Sequence, residues 1–353
     1  MVSINHSWRR HNLRRYCRKP ILIAFTFGVC CLYSWLWVLI TAVQLPEANN
    51  STLFYSTEMH DDLGATFGTA IMRAKSSVTL VIYTLTDRAI IQKLNSKSKE
   101  GVKVKIVCDA KASAELDNKL DKGIALIKRF SMGLMHQKIL IIDDKQTWIG
   151  SANMSSESLR HHGNLVAAIE SEALASMATA KAFSLKAYER TQIYPLETFS
   201  IGNQPLELWF LPDNSKAISR LRQLLLTAEK SIRIAMFTWT RKDLAYEVIA
   251  AHKRGIDVSV VIDKGTSTGA SQSIVKLLKK HKVPVRVNKG SQLLHHKFML
   301  VDDSVLVNGS ANWTLAAFEK NDDCFFILSA LKPDQRVFLS SLWQKIISNS
   351  SAR

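Results

Sequence analysis

His136-Gln137-Lys138-Ile139-Leu140-Ile141-Ile142-Asp143, followed by Gly150-Ser151-Ala152-Asn153, has a second version later in the chain. It reads His295-His296-Lys297-Phe298-Met299-Leu300-Val301-Asp302, followed by Gly309-Ser310-Ala311-Asn312. The four apolar residues after each lysine predict a strand covered on both faces. Positions i and i+2 of a strand share a face. His136 and Lys138 are therefore expected to converge on one site, as are His295 and Lys297. His296 has the other parity and should point away. Asp143 and Asp302 also have the other parity and stand in Asp-Asp pairs that signal a turn, so a structural role is expected of them. A lone His-x-Lys in a strand is ordinarily a half-exposed structural pair. Here six residue types recur together at nearly the same spacing, and each matches by chance only about one time in twenty.

The similarity extends outward from the motif. Ala74-Lys75-Ser76-Ser77, an apolar run at 78–83 and Thr84-Leu85-Thr86 correspond to Ala228-Glu229-Lys230-Ser231, a run at 232–237 and Thr238-Trp239-Thr240. A helical stretch and a Gly-led strand follow in each copy, at 101–109 and 255–263. Strands alternating with helices predict an α/β fold. The expected architecture is two similar halves, residues 55–190 and 205–345. Each is a mixed β-sheet flanked by helices, and the two pack about a pseudo-twofold axis with one site between them. Residues 189–204, with Pro195 and Gly202, read as the link between the halves. The tail from Ser348 to Arg353 is expected to fray.

The N-terminus is different in kind. Residues 21–45 contain no charged side chain, and a helix of roughly 20 residues crosses the hydrocarbon core of a bilayer. Residues 1–20 hold Arg9, Arg10, Arg14, Arg15, Arg18 and Lys19 and no acid. This pattern predicts an uncleaved signal anchor with the basic flank in the cytoplasm and the body on the far side of the membrane. The alternative is a long signal peptide cleaved to release a secreted body. The formal net charge is +17, and the body stays basic without its N-terminal arginines. Anionic partners are implied: phospholipid, nucleic acid or another phosphorylated substrate. Cys108 and Cys324 sit in apolar strand-like runs and read as buried free thiols, with no CxxC pair to suggest zinc. Asn50-Ser51-Thr52 fits a glycosylation sequon, of consequence only in a host that glycosylates.

The paired motif resembles the HKD motif of the phospholipase D superfamily with its usual Gly-Ser-x-Asn, over roughly residues 55–345. The stretch from Asn312 to Asp323 is similar to the small bacterial nuclease and mitochondrial branch. The resemblance implies a phosphodiesterase needing no metal or cofactor, with a monomeric catalytic unit. One imidazole attacks phosphorus to form a phosphohistidine, and the other protonates the leaving alcohol and then activates water. By resemblance His136 is the nucleophile and His295 the acid/base. Lys138 and Lys297 neutralise the non-bridging oxygens, helped by the Asn153 and Asn312 amides and the Ser151 and Ser310 hydroxyls. The family orients a motif histidine with an acid, a role that Asp323 fits. The matching stretch of the first copy is taken as Asn164-Leu165-Val166, where Val166 is not acidic, leaving His136 without an assigned partner.

The implied function is hydrolysis of a phospholipid to phosphatidic acid and a free alcohol, favoured by the anchor. Three rivals stand beside it: a nuclease, a phosphatidyltransferase like the cardiolipin synthases, and a scaffold that kept the fold without the chemistry. Trp239 and Trp313 read as core, Trp239 with the option of lining the site, and His161-His162 as a surface turn.

Overall fold

The computed structural model describes residues 43–47, 50–130, 133–188, 193–290 and 292–352. The chain divides into residues 1–44 and 45–353, and the second unit carries everything below. Its first half contains β1 (Leu53–Ser56), β2 (Ser77–Ile82), β3 (Lys103–Asp109), β4 (Ala125–Arg129), β5 (Lys138–Ile142), β6 (Gln146–Gly150) and β7 (Leu165–Glu170). They form one seven-stranded sheet in the order β1-β7-β6-β5-β2-β3-β4. The second half contains β8 (Glu197–Ile201), β9 (Gln204–Leu211), β10 (Ser231–Met236), β11 (Asp257–Ile262), β12 (Val285–Asn288), β13 (Lys297–Val301), β14 (Val305–Gly309), β15 (Asp323–Leu328) and β16 (Ser350–Ala352). These form a nine-stranded sheet in the order β16-β12-β11-β10-β13-β14-β15-β9-β8.

The sheets repeat one plan. In each, the strand after the Lys-Ser or Ser-Ser signal, β2 or β10, lies between a parallel neighbour and an antiparallel one. The parallel neighbour requires a crossover, supplied by the helices Arg88–Lys99 and Lys242–Lys253. The antiparallel neighbour is the strand that opens with the motif lysine, β5 or β13. Both halves are therefore mixed α/β, as the alternating pattern predicts.

Alternation along the strands feeds three cores. Val78, Leu80 and Ile82 of β2 face the helices Leu63–Arg73 and Arg88–Lys99. Ile232, Ile234 and Met236 of β10 pack with the helices of their own half in the same way. The opposite faces meet in a central layer. Val81, Ile139 and Ile141 from one sheet join Ala235, Phe298 and Leu300 from the other, with the helices Glu172–Ser184 and Pro333–Ser348 among them. Each fully buried Leu or Phe there contributes about 1.5–3 kcal/mol, so the halves are joined by core packing and not by a tether.

Two expectations about the chain outside the motif are corrected. Much of the segment 189–204 is not a linker. Phe199 and Ile201 alternate with exposed residues and bury in the central core, making β8 and β9 an edge hairpin of the second sheet. The tail does not fray either. Ser350–Ala352 pairs with β12, because that strand otherwise has an open edge of unpaired backbone groups. Cys108 and Cys324 are buried and free, and Trp239 and Trp313 are buried against each other. Among the described residues no helix is long and apolar enough to cross a membrane. The expected anchor at 21–45, save its last three residues, and the basic flank 1–20 lie outside the described residues.

Candidate active site

Each motif histidine is seated by the opposite half. The His136 amide donates to the Asp322 carbonyl at 2.8 Å, and the Asp322 amide donates to Leu134 at 2.9 Å. Likewise the His295 amide donates to the Gly163 carbonyl at 2.9 Å, and the Gly163 amide donates to Leu293 at 2.8 Å. These short parallel bridges place the start of β7 against the His295 segment and the start of β15 against the His136 segment.

The same crossing orients the rings. His136 Nδ1 lies 2.8 Å from Asp323 Oδ1, and His295 Nδ1 lies 3.0 Å from Asn164 Oδ1. Asp323 also accepts from the Ser310 hydroxyl at 2.6 Å and the Asn321 amide at 3.2 Å. Asn164 Oδ1 accepts from the Ser151 hydroxyl at 2.8 Å, while its amide donates to the Ser158 carbonyl at 2.8 Å. Because that amide is engaged elsewhere, the carbonyl oxygen of Asn164 faces His295 and accepts its Nδ1–H. In both rings Nε2 is then the nitrogen left for substrate.

This geometry corrects three expectations. The counterpart of Asp323 is Asn164, not Val166. Asn164 lies 13 residues after Ser151, as Asp323 lies 13 after Ser310. Val166 is buried core in β7. His136 is not left without a partner, since the acid of the second copy serves it. Ser151 and Ser310, expected to touch substrate oxygens, are fully buried beneath the orienting groups and hold those instead. The glycine before each serine is required by close approach. A Cβ at Gly150 would meet the Leu165 carbonyl at 2.2 Å, and one at Gly309 the Cys324 carbonyl at 2.4 Å.

Lys138 and Lys297 are buried beside their histidines, each ammonium donating to the histidine two residues back, at 2.6 and 2.7 Å. Each also stands over an aromatic ring, Tyr83 at 5.3 Å and Phe237 at 4.8 Å. The same rings wall the imidazoles, Tyr83 5.2 Å from His136 and Phe237 5.1 Å from His295. His162, expected on a surface turn, comes to 6.1 Å from the His295 ring. Asn312 Oδ1 accepts from Thr238 at 3.3 Å, and Asn153 Oδ1 has no partner among the described residues.

The charges act as one group. Burial pushes the Lys138 ammonium down to about 7, and Asp323 partly offsets this. Burial, followed by repulsion from Lys138, takes Lys297 well below its ordinary range. His295 is pushed well below its usual value by burial, then by Lys297, Lys138 and His136. His136 is lowered by burial and Lys138, with Asp323 pulling the other way. Burial would raise Asp323, but His136, Lys138 and the Ser310 bond outweigh it and hold it ionised. Asp323 acts on both lysines, and Asp109 and Asp263 add to it on Lys138 and Lys297 respectively.

The motif aspartates sit away from this centre, as their parity predicts. Asp143 accepts from the amides of Lys75, Ser76 and Ser77, and Asp302 from those of Glu229, Lys230 and Ser231. Both have positive φ, as do Asp144 and Asp303, so each pair forms the tight turn of its hairpin. Asp109 and Asp263 were not singled out from sequence. They accept from the amides of Met135 and Leu294 at 3.1 Å and so fix the residues leading into the histidines. Their place at the ends of matched strands was the available signal. Among the described residues no group of three His, Cys, Asp or Glu side chains is placed to hold a metal ion. A surface hollow of about 560 Å³ lies by the Asp143 turn and is lined by neither histidine pair.

Comparison with known proteins follows the same division into halves. Residues 68–184 and 221–337 both match the family described as cardiolipin synthase, PLD-like domain. The chain belongs to this family, and with it to the phospholipase D superfamily, carrying the domain twice. It is 37% identical over 138 residues to the mitochondrial cardiolipin hydrolase of Xenopus tropicalis, a match spanning 38% of this chain and 65% of that protein. The human mitochondrial cardiolipin hydrolase is 37% identical over 111 residues, 31% of this chain and 44% of that one. The chain thus spans less than two thirds of the length of either relative. Phosphatidylserine synthase of Haemophilus influenzae shares the fold across 88% of this chain and 89% of its own, with a TM-score of 0.67 at 13% identity.

Proposed function

We propose that this phosphodiesterase hydrolyses a phospholipid to phosphatidic acid and a free alcohol, with His136 as nucleophile and His295 as acid and base. The observation that carries the assignment of roles is the unequal pair of orienting groups, Asp323 on His136 and Asn164 on His295. Attack of His136 Nε2 on phosphorus leaves a phosphorylated imidazole bearing positive charge. The Asp323 carboxylate stabilises that cation and fixes the Nδ1–H tautomer beforehand. A bound phosphate anion offsets the lysine charges that hold His295 down, and its imidazolium, with only an amide behind it, is the stronger acid and gives its proton to the departing alkoxide. The neutral His295 then takes a proton from water, hydroxide attacks phosphorus, and His136 is released. Lys138, Lys297, Asn153 and Asn312 hold the non-bridging oxygens throughout.

Two features support a lipid. The matched relatives are named as cardiolipin hydrolases, and the uncharged stretch 21–45 with its basic flank would hold the body at a bilayer, on the non-cytoplasmic side. The basic body is the feature that favours nucleic acid instead. The test is to incubate the full chain with labelled phospholipid vesicles and, separately, with single- and double-stranded DNA. Release of phosphatidic acid with DNA left intact is the expected result. Rapid DNA cleavage with inert vesicles would replace lipid by nucleic acid in this reading. Transfer to an added alcohol in preference to water would make the chain a phosphatidyltransferase.

A further inference from the structure

A second buried imidazole stands behind the His295 half of the site. His296 turns to the opposite face, is 0% exposed, and places Nε2 2.8 Å from Glu58 Oε1. Glu58 lies in the short turn Thr57–Met59 after β1, in the other half of the molecule. Its second oxygen accepts from the Ser56 hydroxyl at 2.9 Å. Burial alone would raise the Glu58 carboxyl, but the His296 contact outweighs it and holds the group below its ordinary range.

The neighbouring Thr57 grips the strand entry that carries Asn164. Its hydroxyl donates to the His162 carbonyl at 2.6 Å and accepts from the Asn164 amide at 3.3 Å. Gly163, between them, bonds on its other side to Leu293 and His295. A Cβ on Gly163 would meet Glu58 Oε1 at 2.1 Å and His296 Nε2 at 3.2 Å. Residues 162–164 are thus clamped between the Thr57-Glu58 turn and the His295 segment, and Asn164 is the group that orients His295.

The His136 half has no copy of this clamp. Gln137 occupies the place of His296 and Asp322 the place of Gly163. Asp322 is held there by a buried pair with Arg129 at 2.5 Å. The repeat supplies histidine and lysine to both sides, while a different buried contact locks each.

We infer that Thr57 and Glu58 are positioning residues for the acid/base: through His296, Gly163 and Asn164 they set the ring of His295, and they do not set His136. The inference rests on the proposed division of roles between the histidines. Misplacing a catalytic group by an ångström costs about 100-fold in rate, and here the loss should fall only on steps that need His295.

The test compares Glu58→Ala with Glu58→Gln, which keeps the hydrogen bond, using bis(p-nitrophenyl) phosphate and the corresponding diphenyl diester. Nitrophenolate departs without a proton, so the first burst reports His136 alone. For Glu58→Ala we expect a burst within about threefold of the parent, with label on His136. Later turnover should fall about 100-fold, with KM falling alongside it because the phosphohistidine accumulates, and reaction of the diphenyl diester should fall about 100-fold at unchanged KM. Glu58→Gln should recover most of the loss. Thr57→Val leaves the Glu58–His296 contact in place and should show the same pattern more weakly, which keeps the test open if Glu58→Ala does not fold. Equal loss on burst and turnover with label on His136, or no loss at all, would overturn the positioning role alone. A lost burst with label on His295 in the parent enzyme would overturn the division of roles as well.

Discussion

In the first half an imidazole leans on a carboxylate, and in the second its twin leans on an amide. Much around the two rings is otherwise matched: a lysine two residues on, an aromatic wall, a buried serine beneath the orienting group and a glycine where strands touch. Duplication supplied two equivalent imidazoles. The reaction needs two different ones, since a single centre must both attack phosphorus and protonate the leaving group. A carboxylate behind one ring and an amide behind the other make them different. Asp323 is the acid that acts on both lysines, while Asp109 and Asp263 each act on one.

Removing either ring erases the comparison altogether. His136→Ala and His295→Ala should each lower turnover by at least about 10⁴-fold, and the double variant should add almost nothing, because groups that act as a unit are not additive. Initial rates on a phosphodiester measure this. Near-normal activity in either single variant would mean that the halves work separately.

Equalising the orienting groups is the next largest change. Asp323→Asn places an amide behind both rings and removes the charge that stabilises the phosphorylated imidazole. A carboxylate in contact moves a partner by one to three pKa units, so a loss of about 100-fold in kcat is expected. Asn164→Asp is the opposite experiment. It strengthens the grip of His295 on its proton, and the loss should be largest for poor leaving groups. Equal effects of both substitutions on the two steps would show that the asymmetry has no bearing on the roles.

The lysines set a smaller effect, visible in pH dependence. Lys138 must keep its proton to hold phosphate, and burial lowers it to about 7. In free enzyme the charge is present below that value and lost as pH rises through it. kcat/KM should therefore fall above about pH 7, roughly tenfold by pH 8. A bound phosphate restores the proton, so kcat should hold to higher pH. Asp323 raises Lys138, and Asp323→Asn should shift the decline to lower pH. A kcat/KM flat to pH 9 would remove Lys138 from this part of the account.

The hairpin turns carry the smallest effect and should behave alike in both halves. Asp143→Ala or Asp302→Ala strips the acceptor from three amides that lie partly in water. Each should lower stability by about 1–3 kcal/mol in denaturant melts, with kcat close to the parent. A large loss of kcat in the folded variant would bring the motif aspartate back into the chemistry.

What could be read along the chain was whatever depends on local order. Strand parity alone put His136 with Lys138 and His295 with Lys297, turned His296 away and took Asp143 and Asp302 out of the centre. All of these follow from the two-residue period of a strand. The duplicated apolar runs defined two α/β halves for the same reason. The regular spacing from Ser310 to Asp323 also contained the identity of Asn164, which a register two residues off concealed behind Val166. Tertiary structure decided what crosses between the halves. That Asp323 serves His136, that Asn164 serves His295 and that Glu58 reaches His296 all depend on which strand starts meet when two sheets pack. Those contacts join residues more than a hundred positions apart, and a backbone period that repeats every two residues carries no information about them.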